Sequence, residues 1–329
     1  MRININMYRA IAIVLQICCF QYPSSSYPYT PHPYTLHPIL YMLLEATKHS
    51  EDSVKLTTAV LIPKTMTANS PTILALDFDG VICDGLIEYF QVAWRAYCQV
   101  WFPANQTPSD DLASRFYQLR PVIETGWEMP VLIKALVAGI DDEKILREWA
   151  SIAQQILLED KLQAKEIATK LDNLRDEWIA RDLDGWLSLH RFYPGVVDKL
   201  KATLACQVKL YIVTTKEGRF VQQLLQQQGV TLDKEAIFGK EVKRPKYEIL
   251  RELIQAAQDK AVSLWFVEDR IKTLQLVKEQ TDLENVKLFL ADWGYNTQSE
   301  RNAAENDSRI QLISLSQFGQ DFSHWVMDS

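Results

Sequence analysis

Thr72-Ile73-Leu74-Ala75-Leu76-Asp77-Phe78-Asp79-Gly80-Val81 is the stretch on which the reading of this chain turns. Its first half is a short apolar run without alternation, the pattern of a strand buried on both faces of a parallel sheet. Its second half alternates two aspartates. Side-chain direction in an extended chain repeats every two residues, so Asp77 and Asp79 point to the same side. Two carboxylates so close are uncomfortable when both are ionised, and a divalent cation would resolve the conflict. Gly80 lets the backbone turn close to a ligand. Taken alone, the segment has a second, less favoured reading as an Asp-Gly surface turn.

Three similar runs follow, Val208 to Val213, Leu264 to Val267 and Val286 to Leu290. Helical patterns separate them. Phe220, Leu224 and Leu225 precede Gly229, which reads as a helix stop, and Tyr247, Leu250, Leu253 and Ile254 follow Pro245, which reads as a first-turn proline. This alternation predicts an α/β fold with a doubly wound, Rossmann-like parallel sheet.

No strand is predicted between residue 84 and about residue 195. Helical segments are expected at Leu86 to Trp101, Asp110 to Leu119, Met129 to Val137, and within Asp141 to Leu189, where Leu171, Leu174, Trp178 and Ile179 share one helix face. A mostly helical insertion over 85–194 therefore interrupts a core made of 66–84 and 195–329, with Tyr193-Pro194-Gly195 as the return turn. The tryptophans of the insertion read as packing residues.

Ligands of open α/β sheets bind beyond the carboxyl ends of the strands. The second run ends in Thr214-Thr215-Lys216, where hydroxyls and free N–H groups suit a phosphate oxygen. The third ends in Glu268-Asp269-Arg270. Two adjacent carboxylates suit Mg²⁺, a hard cation that prefers oxygen, although Asp269 could instead cap the next helix. Lys243-Arg244-Pro245-Lys246 is a basic cluster at a helix start, able to neutralise phosphate charge or to stay in solvent.

The order of these features is more specific than any one of them. Asp-x-Asp, then Thr, then Lys, then an acidic pair, each at a strand end, resembles the haloacid dehalogenase-like superfamily over about residues 70 to 318. Asp77-Phe78-Asp79-Gly80-Val81 matches its first motif, Ile212-Val213-Thr214 its second and Val267-Glu268-Asp269 its fourth. The third motif needs one lysine, and the chain offers Lys243 and Lys246; Lys246, directly after Pro245, is favoured. The family's usual further acidic residue after the fourth motif is replaced by Thr273. The insertion, and Asp292-Trp293-Gly294-Tyr295, are similar to the phosphoglycolate-phosphatase-like branch, in which such an insertion is a cap domain.

The resemblance implies an aspartyl-phosphate mechanism, with Asp77 as nucleophile and Asp79 as acid and then base. It implies Mg²⁺ held by Asp77, the Asp79 backbone carbonyl and Asp269, with Glu268 beside them. Thr214, Thr215 and one of the two lysines would hold phosphoryl oxygens. Asp79 argues against a dehalogenase, which attacks carbon and needs no such acid. A phosphonatase would need a cap lysine for a Schiff base, and Lys134 reads as an ordinary surface lysine. A sugar phosphomutase shares the core motifs and is the second enzymatic reading. A non-catalytic binding module should have lost Asp77, Asp79 or Asp269, and all three are present. Arg120, Glu124 and Trp127 lie in the loop between two insertion helices and are expected to approach the leaving group or, alternatively, to anchor that loop. Sugar phosphates, phosphoglycolate and nucleotide monophosphates all fit such a core.

The chain has 329 residues, 47% hydrophobic and 23% charged, which excludes collagenous, coiled-coil and wholly disordered classes. A net charge of −7 gives no general reason to expect nucleic acid as a partner, while leaving room for a small anionic metabolite. The five cysteines form no disulfide or zinc spacing, so a reducing, cytoplasmic compartment is expected.

Residues 1–65 differ in kind: all eleven glycines and all nine tryptophans come later in the chain. The apolar run Ile11 to Phe20 is too short for the ~20 residues of a membrane span. Gln21 to Pro38 is a Tyr/Pro/Ser/His tract unsuited to a helix or packed sheet. A targeting segment, a disordered extension and a leader ahead of a true start at Met66 are the three readings, and the last is favoured. No membrane association is expected.

Overall fold

The computed structural model describes residues 70–257 and 262–326. The expectations for residues 1–65 and for Met66 lie outside the described residues. Ile73–Leu76 forms β1 and is buried along its whole length, as an unalternating apolar run requires. After the two-residue strands β2 (Cys83–Asp84) and β3 (Arg191–Phe192) come β4 (Lys209–Val213), β5 (Ile237–Phe238), β6 (Leu264–Glu268), β7 (Lys287–Ala291) and β8 (Ile310–Ile313). Six of them make one parallel sheet in the order β5-β4-β1-β6-β7-β8. β1, the first strand among the described residues, thus lies in the middle of the sheet, and later strands are added outward on both sides. β1 is flanked by β4 and β6, with Leu76 level with Ile212 on one side and Val267 on the other. This register brings Asp77, Thr214 and Asp269 to one edge of the sheet.

Period-two side-chain direction sorts each buried strand between two helix layers. Leu74, Leu76, Ile212 and Val267 join Leu200 of α7 (Val196–Leu204) and Phe220 and Leu224 of α8 (Gly218–Gln227). Ile73, Ala75, Val213 and Phe266 face the other way, against Ile249 and Leu250 of α9 (Lys246–Ala256) and Leu274 of α10 (Ile271–Lys278). α11 (Gln298–Glu305) and α12 (Leu315–Phe318) complete the core, each opened by a capping box, Thr297 with Glu300 and Ser314 with Gln317. Trp265 is fully buried, its ring 5.2 Å from Phe289 and 5.8 Å from Trp325, contacts worth about 0.5–1.5 kcal/mol each beyond burial. Gly229 follows α8 as expected, whereas Pro245 caps α9 from outside instead of standing in its first turn. Its extended ψ of 145° places it before the helix, so Lys246 is the first helical residue.

Between β2 and β3 the chain is helical: α1 (Leu86–Trp101), α2 (Leu112–Leu119), α3 (Glu128–Val137), α4 (Asp142–Glu159), α5 (Ala164–Arg181) and α6 (Leu183–Leu187). The first five share a core that includes Phe90, Ala93, Tyr97, Phe116, Leu132 and Trp149, whereas Trp186 and Leu187 of α6 belong to the cluster of Leu76 and Phe220. The expected strand-free insertion needs one correction. β2 and β3 pair antiparallel, Cys83 with Phe192 and Asp84 with Arg191, where the chain leaves the core and returns to it. A two-residue strand has no periodicity to read, and only its partner, about a hundred residues away, defines it. The packing expectation for the tryptophans holds for Trp149 and Trp186, which are buried, while Trp94, Trp101, Trp127 and Trp178 are half-buried. On the face expected for α5, Leu171 is buried and Leu174, Trp178 and Ile179 are half-buried. Among the described residues no helix is long and apolar enough to cross a membrane.

Candidate active site

The carboxyl edge of β1, β4 and β6 gathers buried charge. Asp77 donates its N–H to the carbonyl of Val267 on β6, and its Oδ1 accepts the N–H of Phe78 at 2.7 Å. Asp77, Glu268 and Asp269 each offer a carboxylate oxygen within 4.8 Å of the others, and all three residues are buried. Lys246 reaches in from the first turn of α9, its Nζ 2.9 Å from both Asp77 Oδ1 and Glu268 Oε2. Lys243 does not join it. It stands exposed at φ +52°, outside the helix.

The backbone is drawn tightly round Asp269. Its Oδ2 accepts the N–H of Tyr295 at 2.8 Å, and its carbonyl accepts Asn296 Nδ2 at 3.0 Å. Gly80, at φ +85°, and Gly294 pass so close that a Cβ on either would collide with the Asp269 side chain. Those two glycines are therefore required by the approach of two loops to one carboxylate.

Burial and the neighbouring Asp77 charge raise the pKa of Asp269 to about 7. Burial, then Asp77, also push Glu268 well above the carboxylate range. Burial alone would lower the Lys246 ammonium, but Asp77 and Glu268 hold it up. Lys246 thus pairs with two of the three buried carboxylates, while Asp269 feels the Arg270 and Arg120 charges. Such a donor set, all oxygen and short of positive charge, fits a hard divalent cation such as Mg²⁺. The Asp79 carboxylate takes no part in this cluster.

Asp79 turns instead to Lys216, whose Nζ lies 3.2 Å from its Oδ1. Thr214 is buried at the end of β4, donates its N–H to the Phe238 carbonyl and accepts the Lys216 N–H on its hydroxyl at 3.2 Å. The hydroxyl proton is left to give. Thr215 is exposed beside it and lines a cavity of about 500 Å³. Asp79 and Lys216 share that cavity with Arg120, Glu124 and Trp127 of the insertion.

The loop carrying those three residues is also tied to the core. Arg270 donates from one nitrogen to the carbonyls of Pro121 and Tyr295, both at 2.8 Å, and Lys272 pairs with Glu124. The Arg120 guanidinium sits over the rings of Tyr295 and Tyr89, with its Nε buried and unpartnered. Lys134 is elsewhere, near Asp160 and over Trp101.

Several cavity and near-site groups were not singled out from the sequence. They are Lys216, His190, Trp186, and the Arg175–Glu88 ion pair, in which burial raises and Arg175 lowers the Glu88 pKa, with a net fall. The signal for Lys216 was adjacency to Thr214. For the others it was no more than a polar or aromatic residue in an amphipathic stretch.

A family model described as haloacid dehalogenase-like hydrolase matches residues 134–280. The match spans under half of the chain. It takes in Thr214, Lys246 and the Glu268-Asp269 pair, and stops short of Asp77 and Asp79. The chain matches no curated protein sequence. It is similar to a solved haloacid dehalogenase-like family hydrolase from Streptococcus pneumoniae, at 14% identity over 74% of this chain and 94% of that one, TM-score 0.45. It is similar to a structure described as a predicted phosphoglycolate phosphatase from Haemophilus somnus, at 15% identity over 69% and 88%, TM-score 0.45. A predicted phosphatase from Clostridium acetobutylicum gives 14% identity over 76% and 97%, TM-score 0.46. The central β1 and the helical insertion between β2 and β3 give a Rossmann-like parallel-sheet core with a cap-like insertion, and over residues 134–280 the chain is similar to the haloacid dehalogenase-like hydrolase family.

Proposed function

We propose that the chain is a Mg²⁺-dependent phosphatase of the phosphoglycolate-phosphatase-like branch, hydrolysing a small phosphorylated metabolite through an aspartyl-phosphate. The observation that carries this reading is the convergence of Asp77, Glu268, Asp269 and Lys246 at one strand edge, next to Thr214. Asp77, Asp269, Glu268 and the Asp79 backbone carbonyl would hold the metal ion. When bound, the ion lowers the repulsion between carboxylate and phosphate and polarises the phosphoryl oxygens.

An Asp77 carboxylate oxygen attacks phosphorus while the bond from phosphorus to the leaving oxygen breaks. Asp79 gives that oxygen its proton. Asp79 then takes a proton from a water, which attacks phosphorus, frees Asp77 and releases inorganic phosphate. Such positioned proton transfer is typically worth ~10²–10⁴-fold. Lys246 and the Thr214 hydroxyl hold the transferring oxygens, with Thr215 beside them, so catalysis is mostly positioning and charge stabilisation. The helices over 85–194 act as a cap on a core made of 66–84 and 195–329. Arg120, Glu124 and Trp127 meet the leaving group from the cap side. The cysteine usage supports a cytoplasmic setting.

The test is a phosphate-release screen over a panel of phosphomonoesters with Mg²⁺, with Asp77→Asn as the control. Asp77→Asn is nearly isosteric and is expected to abolish turnover with the fold intact. Residual activity within tenfold of wild type removes Asp77 as the nucleophile. Isomerisation of a sugar phosphate without phosphate release replaces the phosphatase by a phosphomutase.

A further inference from the structure

Asp79 is the proposed acid and base, yet its nearest charged neighbour comes from outside the metal and phosphate groups. Lys216 Nζ lies 3.2 Å and 3.5 Å from the two Asp79 carboxylate oxygens. The same nitrogen lies 3.1 Å from His190 Nε2 and 5.4 Å above the Trp186 ring. Its side chain is nearly buried. A solvent-exposed lysine could not orient a carboxylate, because its four-carbon stem keeps its rotamer freedom. This one is fixed by three neighbours.

The hydrogen-bond roles around His190 are set by elimination. His190 Nδ1 lies 3.2 Å from the Trp186 carbonyl, which can only accept, so Nδ1 carries the proton. Nε2 is then a lone-pair acceptor, the only form that suits an ammonium donor. Burial, and then the Lys216 charge, lower the His190 pKa to about 4, which keeps the ring neutral. The ring packs 4.5 Å from that of Trp186. Trp186 Nε1 donates to Glu88 at 3.2 Å, and Glu88 pairs with Arg175 at 2.8 Å. Every group behind Lys216 therefore belongs to the helical insertion or to its return segment: Arg175 on α5, Glu88 on α1, Trp186 on α6, and His190 just before β3.

We propose that Lys216, held by His190, is a positioning residue that aims the Asp79 carboxylate at the leaving oxygen, so that the cap's return segment takes part in proton transfer. This rests on the phosphatase reading. It adds to that reading two residues and a physical link between cap and chemistry. Near-attack geometry is sensitive, and a misplacement of about 1 Å can cost ~10²-fold.

The experiment compares two substrates. One is the alkyl phosphomonoester that the metabolite screen identifies, whose alkoxide leaves poorly without a proton. The other is p-nitrophenyl phosphate, whose phenolate leaves unaided. Lys216→Met is expected to lower kcat/KM, which reports only the steps up to aspartyl-phosphate formation, about a hundredfold on the alkyl ester and less than tenfold on the aryl ester. His190→Leu should shift the ratio the same way by about tenfold. His190→Gln keeps an acceptor and should restore it. The ratio within one variant is independent of the fraction folded, so poor folding cannot imitate the result. Equal falls in kcat/KM on both esters overturn the proposal, as does His190→Gln as damaging as His190→Leu. In those cases the Asp77-dependent phosphatase itself stands. A wild-type chain that turns over neither ester removes the reaction and this role with it.

Discussion

The two sides of the candidate site, core and insertion, are built differently. The floor is made of residues at strand ends: Asp77 after β1, Thr214 after β4, and Glu268 and Asp269 at the end of β6. Their positions follow from a parallel register and from backbone contacts such as the Tyr295 N–H on Asp269. The roof is made of long side chains on insertion helices and one loop: Arg120 over the Tyr295 ring, Glu124 paired with Lys272, Arg175 paired with Glu88, and Trp127 lining the cavity. A floor fixed by backbone suits chemistry that tolerates little displacement. A roof fixed by side-chain pairs can be rebuilt for another leaving group while the floor stays put.

The strongest way to break this contrast is at the floor. Lys246→Ala is expected to lower kcat/KM at least about a hundredfold, equal to ~2.7 kcal/mol of transition-state stabilisation. Lys246 pairs with Asp77 and Glu268 from inside the first turn of α9, while Lys243 is exposed before it. Lys243→Ala should therefore cost far less. Steady-state kinetics with a thermal melt for each variant checks this. A reversed order makes Lys243 the phosphate lysine.

The roof should respond differently, and by less. Arg120→Lys keeps the charge but not the flat guanidinium that lies over Tyr295 and Tyr89. KM should rise about tenfold, with kcat within about threefold of wild type. An unchanged KM would mean that Arg120 only anchors the loop. Glu124→Gln breaks an exposed pair with Lys272, so its effect on stability should stay under about 1 kcal/mol.

The same contrast explains what the sequence could and could not disclose. β1, β4, β6 and β7 were legible because each is an apolar run with no alternation, and the site residues simply follow them. β5 and the β2–β3 pair are too short to carry a period, and each is defined by a distant partner. β8, Ile-Gln-Leu-Ile, is an edge strand with two half-buried positions, a weaker pattern than the central runs. Lys216 follows Thr214 by two residues, yet nothing in the sequence marks it as a partner of Asp79. The reach of a lysine, and the turn that brings it over residue 79, are properties of the folded chain. His190 had less signal still, because a lone histidine near a turn gains meaning only from what lies within about 3 Å of it.

The smallest expected effect is thermodynamic, and it separates floor from roof without substrate. Asp269 is raised to about 7 by burial and by Asp77, against an ordinary value of 3.8. A carboxyl whose pKa is higher in the folded chain binds its proton more tightly there than when unfolded. Folding then favours the protonated form, so metal-free stability falls as pH rises from about 4 to about 7, and the penalty is complete above that. Glu268, raised in the same direction, adds to this slope. A divalent cation held by these carboxylates must displace the protons, so it binds better at high pH and relieves more of the penalty. Mg²⁺ should therefore raise Tm more at pH 8 than at pH 6, by about 2–4 °C, or ~1 kcal/mol for a domain of this size. Asp269→Asn should remove the difference, because it removes both the buried charge and a metal oxygen. Arg120→Lys, on the roof, should leave it in place. An Mg²⁺ effect that is equal at the two pH values, or that survives Asp269→Asn, would place the cation away from the strand-end carboxylates.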